Sequence, residues 1–156
     1  MKWRARFCIV SAVVSAPLWA QAAGLSTTFV DVVIESVQIG KMVEARGPEG
    51  KSLVVRNLGD SPVVVSVQAL APTPAQLRPG AQILPDLSWV HFDPPSVMVP
   101  AQREKDVKVT VQVPHRKEFR DRTYQVMVWT RGETAHGQGI RLNAGLLSCL
   151  RIHTVP

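Results

Sequence analysis

The chain is poor in the residues from which small reactive sites are usually built. It has two cysteines, one tyrosine and four histidines in 156 residues, and aromatics make up 6% of it. His91, His115, His136 and His153 are spaced without any H-x-H or H-x-x-x-H pattern. Combined with so few cysteines, that spacing excludes a zinc cluster of the usual kind. No G-x-S-x-G turn occurs to carry a serine nucleophile. Gly137-Gln138-Gly139 lacks the further glycine and the helix of a dinucleotide loop. Asp86, Asp93 and Asp106 read as turn and surface residues, not as a catalytic carboxylate pair. The expectation is therefore no enzyme, no cofactor and no metal.

Long apolar runs are missing as well. The longest, from Phe7 to about Val14, falls well short of the roughly 20 residues that span a bilayer. It follows Lys2, Arg4 and Arg6 and precedes Ala20-Gln21-Ala22, an A-x-A arrangement. A basic start, a short apolar stretch and small residues at the end make a secretory signal peptide. Residues 1–22 are read as that leader and 23–156 as one domain, exported to the periplasm or cell surface with no stable membrane anchor after leader removal.

Export changes what charge and cysteine mean. The chain carries 18 Lys and Arg against 12 Asp and Glu, a net +6, of which the leader supplies three positive charges. The remaining +3 is too small for a nucleic-acid footprint, so no nucleic acid is expected as a partner. The densest basic stretch, His115-Arg116-Lys117 with Arg120 and Arg122, is interrupted by Glu118 and Asp121 and reads as a solvated loop. Cys8 leaves with the leader, so Cys149 has no intrachain partner. An odd cysteine can bridge to a second chain, but the apolar "LLSCLRI" around it favours burial.

What the sequence does hold is valine in alternation, punctuated by proline. "EKDVKVTVQVP" sets Val107, Val109, Val111 and Val113 against Asp106, Lys108, Thr110 and Gln112, a strand with one buried and one wet face. "PVVVSVQAL" does the same with Val63, Val65, Val67 and Ala69, and with "KSLVVRN" before it reads as a hairpin. "FVDVVIESVQIG" changes face near Glu35-Ser36, which calls for a bulge or a switch of sheet. In "SWVHFDPPSVMVP" the prolines separate two short strands that can belong to different sheets. The stretch ending "GLLSCLRIHT" predicts a bend at Asn143-Ala144-Gly145. Residues 71–87, with Pro72, Pro74, Pro79 and Pro85, form a long proline-rich connection unsuited to a helix or a central strand. Together these predict an all-β chain, a single immunoglobulin-like β-sandwich of about seven strands.

The order "LVVRNLGDSPVVVSV", then "WVHFDPPSVMVPAQREKDVKVTVQVP", then "YQVMVWT" resembles bacterial exported immunoglobulin-like domains of the PapD-like and major-sperm-protein type. Pro95, Val97, Val99, Pro100, Val107, Val109 and Tyr124 occupy the places of that pattern. They are mainly packing positions, so the resemblance implies a fold more than a function. Tyr124, opening a late strand after a loop, suits a tyrosine corner whose hydroxyl bonds nearby backbone. Pilus chaperones of this type have two such domains, whereas this chain has room for one.

If Tyr124, Val126 and Val128 face the core, Met127 and Trp129 face the other way. Either the connection 71–87 covers them, or Met127, Trp129 and Arg131 form an interaction surface. The expected function is a protein-binding module, an accessory or structural part of an envelope or pilus-like surface assembly. The alternative is a carbohydrate- or small-ligand-binding module with Trp129 or Trp89 as a stacking platform.

Overall fold

The computed structural model describes residues 24–134 and 144–156. The expected leader 1–22, His136 and Gly137-Gln138-Gly139 lie outside the described residues, as does Asn143 of the expected bend. Eleven strands are formed: β1 Leu25–Thr27, β2 Asp31–Val37, β3 Met42–Glu44, β4 Leu53–Asn57, β5 Val63–Leu70, β6 Gln82–Ile83, β7 Val90–Asp93, β8 Ser96–Val99, β9 Glu104–Gln112, β10 Thr123–Thr134 and β11 Ala144–Thr154. The all-β sandwich expected from the sequence is present, but with eleven strands instead of seven.

The larger number arises from interrupted runs. β3 and β4 follow one another along β9, pairing with residues 110–112 and 104–107 respectively. Between them the chain is thrown out as a loop, bridged by the Ser52 hydroxyl, which donates to Ala45 O and accepts from Val109 N. Pro94-Pro95 cut β7 from β8, and the two halves pair with β9 and β5 in different sheets, as the proline corner predicts. Trp89 is not part of that strand; it ends a short 3-10 turn, half-buried against the core.

One sheet contains β1, β4, β9, β3 and β7; the other runs β2-β11-β10-β5-β8, with β6 also on β10. β2 on β11 and β6 on β10 are parallel, and the remaining pairs are antiparallel. β4 and β5 accordingly lie in different sheets, and the expected hairpin is a corner between them. Asn57 makes that corner. Its side chain is buried, donating to Ser61 O, Val99 O and Pro100 O and accepting from Gly59 N. The break in β2 is where the sequence places it. Ile34 pairs with Ile152 and Val37 with Thr154, so one residue is extra at Glu35-Ser36, and Ser36 has a φ of 59°. β11 shows this irregularity near its end at Ile152 to Thr154, while from Ala144 onward it continues as strand.

Between the sheets lies a single core in which Val55, Val65, Val107, Val109, Val126, Val128, Leu150 and Ile152 are fully or almost fully buried. Each such side chain contributes about 1.5–3 kcal/mol relative to exposure. Tyr124 closes one end, in edge-on contact with Trp89 at 6.3 Å and Phe119 at 6.5 Å between ring centroids. Its hydroxyl makes no hydrogen bond to another described residue, so the tyrosine-corner expectation does not hold. The position is held by the ring.

Candidate binding cleft

The proline-rich connection packs on the outward face of β10. A central strand covered on both sides must satisfy any polar side chain it carries, and Gln125, 0% exposed, does so with the connection itself. Its amide nitrogen donates to Gln76 O at 2.7 Å, and its amide oxygen accepts from Arg78 N at 2.8 Å. Leu84 N donates to Gln125 O, and β6 pairs alongside Tyr124 and Gln125. Prolines bring no N–H of their own, so these few bonds suffice to dock the segment.

Next along the same face, Met127 is 7% exposed. Residues 75–79 stand over it and leave a cleft of about 510 Å³ against β2, β10 and β11. Met127, Leu147 and Cys149 line it from the sheet, and Val30, Asp31 and Arg78 border it. Val30 is 60% and Leu147 41% exposed, large apolar side chains left open beside a partly covered floor. Asp31 accepts from Arg151 at 3.2 Å and pairs with Arg78 at 3.5 Å, which ties β2, β11 and the connection together by charge. Burial pushes the Cys149 thiol above its ordinary pKa, and the Asp31 carboxylate adds to the effect. Such a thiol stays protonated at neutral pH and is a poor nucleophile.

Of the three residues the sequence marks out, Met127 is covered by the connection. Trp129 is half-buried with its ring packed against Gly145, where a side chain would collide with the indole. Arg131 is exposed and pairs with Glu133 at 2.9 Å. The three are successive on one face of β10, but only Trp129 and Arg131 remain open to a partner. Val30, Leu147 and the Asp31 ion pairs escaped the sequence reading. The apolar run "LLSCL", with no wet face, was the available sign that the outward face of β11 is partly covered, at Cys149 though not at Leu147.

β2 borders this cleft at the margin of its sheet. Its backbone bonds β11 on one side, where Val30 O accepts from Cys149 N at 2.8 Å. By alternation, Asp31 and Val33 turn their N–H and C=O groups to the other side, where no described strand pairs with them. The bulge at Glu35-Ser36 limits the regular part of this edge to about four residues. Among the described residues, no three of His, Cys, Asp and Glu gather to hold a metal, and no helix is long and apolar enough to cross a membrane.

No family model and no curated protein matches the sequence. Among solved structures, the chain is similar to the PapD-like domain 7 of human CEP192, with a TM-score of 0.63 and 12% identity over 99% of this chain and 98% of that one. It is also similar to a chain in the Salmonella enterica SafA pilin complex with the SafB chaperone, with a TM-score of 0.56 and 13% identity over 85% of this chain and 58% of that one. A Bacteroides ovatus protein described as a carbohydrate-binding protein gives a TM-score of 0.56 at 12% identity, and the match covers 37% of its length. The fold is thus PapD-like and immunoglobulin-like. In the second and third comparisons the chain spans only part of the other protein.

Proposed function

We propose that this chain is an exported, non-enzymatic protein-binding module, an accessory or structural part of an envelope or surface assembly. It takes an extended segment of its partner along the open edge of β2, and an apolar side chain of that segment enters the neighbouring cleft. The observation that carries the reading is this juxtaposition. Backbone groups at Asp31 and Val33 that no described strand pairs adjoin exposed Val30 and Leu147 and the 510 Å³ cleft. Strand addition uses both parts, with main-chain bonds for affinity and side-chain pockets for specificity. The leader pattern supports export. The PapD-like fold, found in a chain of a pilin–chaperone complex, supports a protein partner.

Val33→Pro tests it. On an edge strand, a proline whose missing N–H faced solvent is tolerated by the fold, whereas an added strand loses a bond and meets the ring. Thermal melts should stay close to those of the parent chain, while co-purification with crosslinked envelope proteins should fall at least tenfold. Unchanged capture would refute the edge as the site. A second reading, as a carbohydrate-binding module, is favoured by Trp129, half-buried with the outer atoms of its indole against exposed Gly145. Glycan retention lost in Trp129→Ala but kept in Val33→Pro would select it.

A further inference from the structure

At the far end of β2 and β11, beyond the Val155 N to Val37 O bond, lies a second pocket of about 570 Å³. Gln38 to Lys41, His115, Arg120 and the last two residues line it. Lys41 and Arg120 are the cations that line it, and Arg116, Lys117 and Arg122 lie within a few positions of Arg120 in sequence together with Glu118 and Asp121, a net +3 for the seven residues. That equals the whole surplus of the chain after the leader, so the remainder of the domain is balanced. Arg116 is paired with Glu118, while Lys41 and Arg120 make no ion pair among the described residues.

The loop that carries these cations is held in place. Phe119 packs on Trp89 with centroids 4.9 Å apart. Buried Thr154 donates to Phe119 O at 2.7 Å and accepts from Arg122 N at 2.9 Å, and Asp121 N donates to Val155 O. The turn before β3 is fixed too: Gly40, at a φ of 81°, donates to Val113 O and sits directly under the His115 side chain. A merely solvated loop has no need of such anchoring. With the backbone of both loops held, only the exposed Lys41, Arg120 and His115 side chains remain to be ordered when an anion sits among them and relieves the repulsion between the two cations.

We infer that this pocket binds a phosphate group through Lys41, Arg120 and His115. An ammonium, a guanidinium fork and an imidazole from two separate loops suit a tetrahedral, doubly charged oxyanion better than a single planar carboxylate. The site is independent of the β2 edge and stands whether or not strand addition does.

Titration of the folded chain with inorganic phosphate, followed by amide NMR, tests it at low salt, where screening is weak. Saturable shifts are expected at Gly40, Lys41, His115 and Arg120. Lys41→Gln with Arg120→Gln should weaken binding at least tenfold, whereas Lys105→Gln with Lys108→Gln on β9 should leave it unchanged. Thermal melts of both variants should match the parent, so that lost binding is not lost fold. Flotation with phosphatidylglycerol vesicles, against phosphatidylcholine vesicles, separates the sources. Retention competed by phosphate assigns a lipid headgroup, and phosphate binding without retention assigns a free phosphate compound. Shifts spread evenly over the surface, equal binding of acetate, or full binding by the Lys41/Arg120 variant would each overturn the assignment.

Discussion

Tyr124 shows how little a residue's type says about which of its atoms matters. A tyrosine at the start of a late strand suggests a hydroxyl bonded to backbone, yet here the ring packs edge-on against the Trp89–Phe119 pair while the hydroxyl has no described partner. Burial raises its pKa, which places the phenol in an apolar setting that disfavours the charged form. Tyr124→Phe should therefore change stability by no more than about 0.5 kcal/mol, since no hydrogen bond is lost. Tyr124→Ala should cost about 3–5 kcal/mol, the usual loss for a buried aromatic. Denaturant melts of the two variants check both values. A loss above about 1 kcal/mol for the phenylalanine variant would mean that the hydroxyl is bonded after all.

At the scale of elements, the proline-rich connection decides what β10 presents. Gln125 is its fastening, so Gln125→Leu should free residues 75–79 and leave the valine core behind them intact. The expected loss is about 1–3 kcal/mol, that of a buried hydrogen-bonded group. Cys149, under the same segment, should react several-fold faster with a thiol reagent in the native protein. Faster labelling at small global cost is the mark of local opening, and unchanged labelling would mean that the segment is held elsewhere. Legibility in the sequence divides along the same line. Period-two alternation revealed the inward faces of β5, β9 and β10, and the prolines revealed the split between β7 and β8. Both are local signals. That β4 and β5 part into different sheets was not legible, because a five-residue turn reads alike whether the strands beside it pair or diverge. Nor was the cover on Met127: Gln125 looks like a solvent-facing strand residue until a partner 47 to 49 positions away closes over it.

For the molecule as a whole, the question is what makes two sheets one cooperative unit. The shared valine core does most of it, but apolar contact is not directional, and the sheets need a fixed register. Asn57 supplies part of that register. It ends β4 in one sheet, and its amide reaches Val99 at the end of β8 in the other at 3.2 Å, as well as Pro100 and Ser61. Its backbone N–H donates to Arg103 O just before β9, so one residue ties three segments that are distant in sequence. Asn57→Ala keeps the turn's length while removing the donors to those carbonyls and the acceptor for Gly59 N–H. The expected cost is about 2–3 kcal/mol, since groups in a partly buried corner are left without partners. Because the core still joins the sheets, unfolding should remain a single transition, with near-UV and far-UV signals changing together. Two separated transitions would mean that the side chain, and not the core, couples the sheets. A change within error would mean that water replaces the amide, leaving the register to the valines alone.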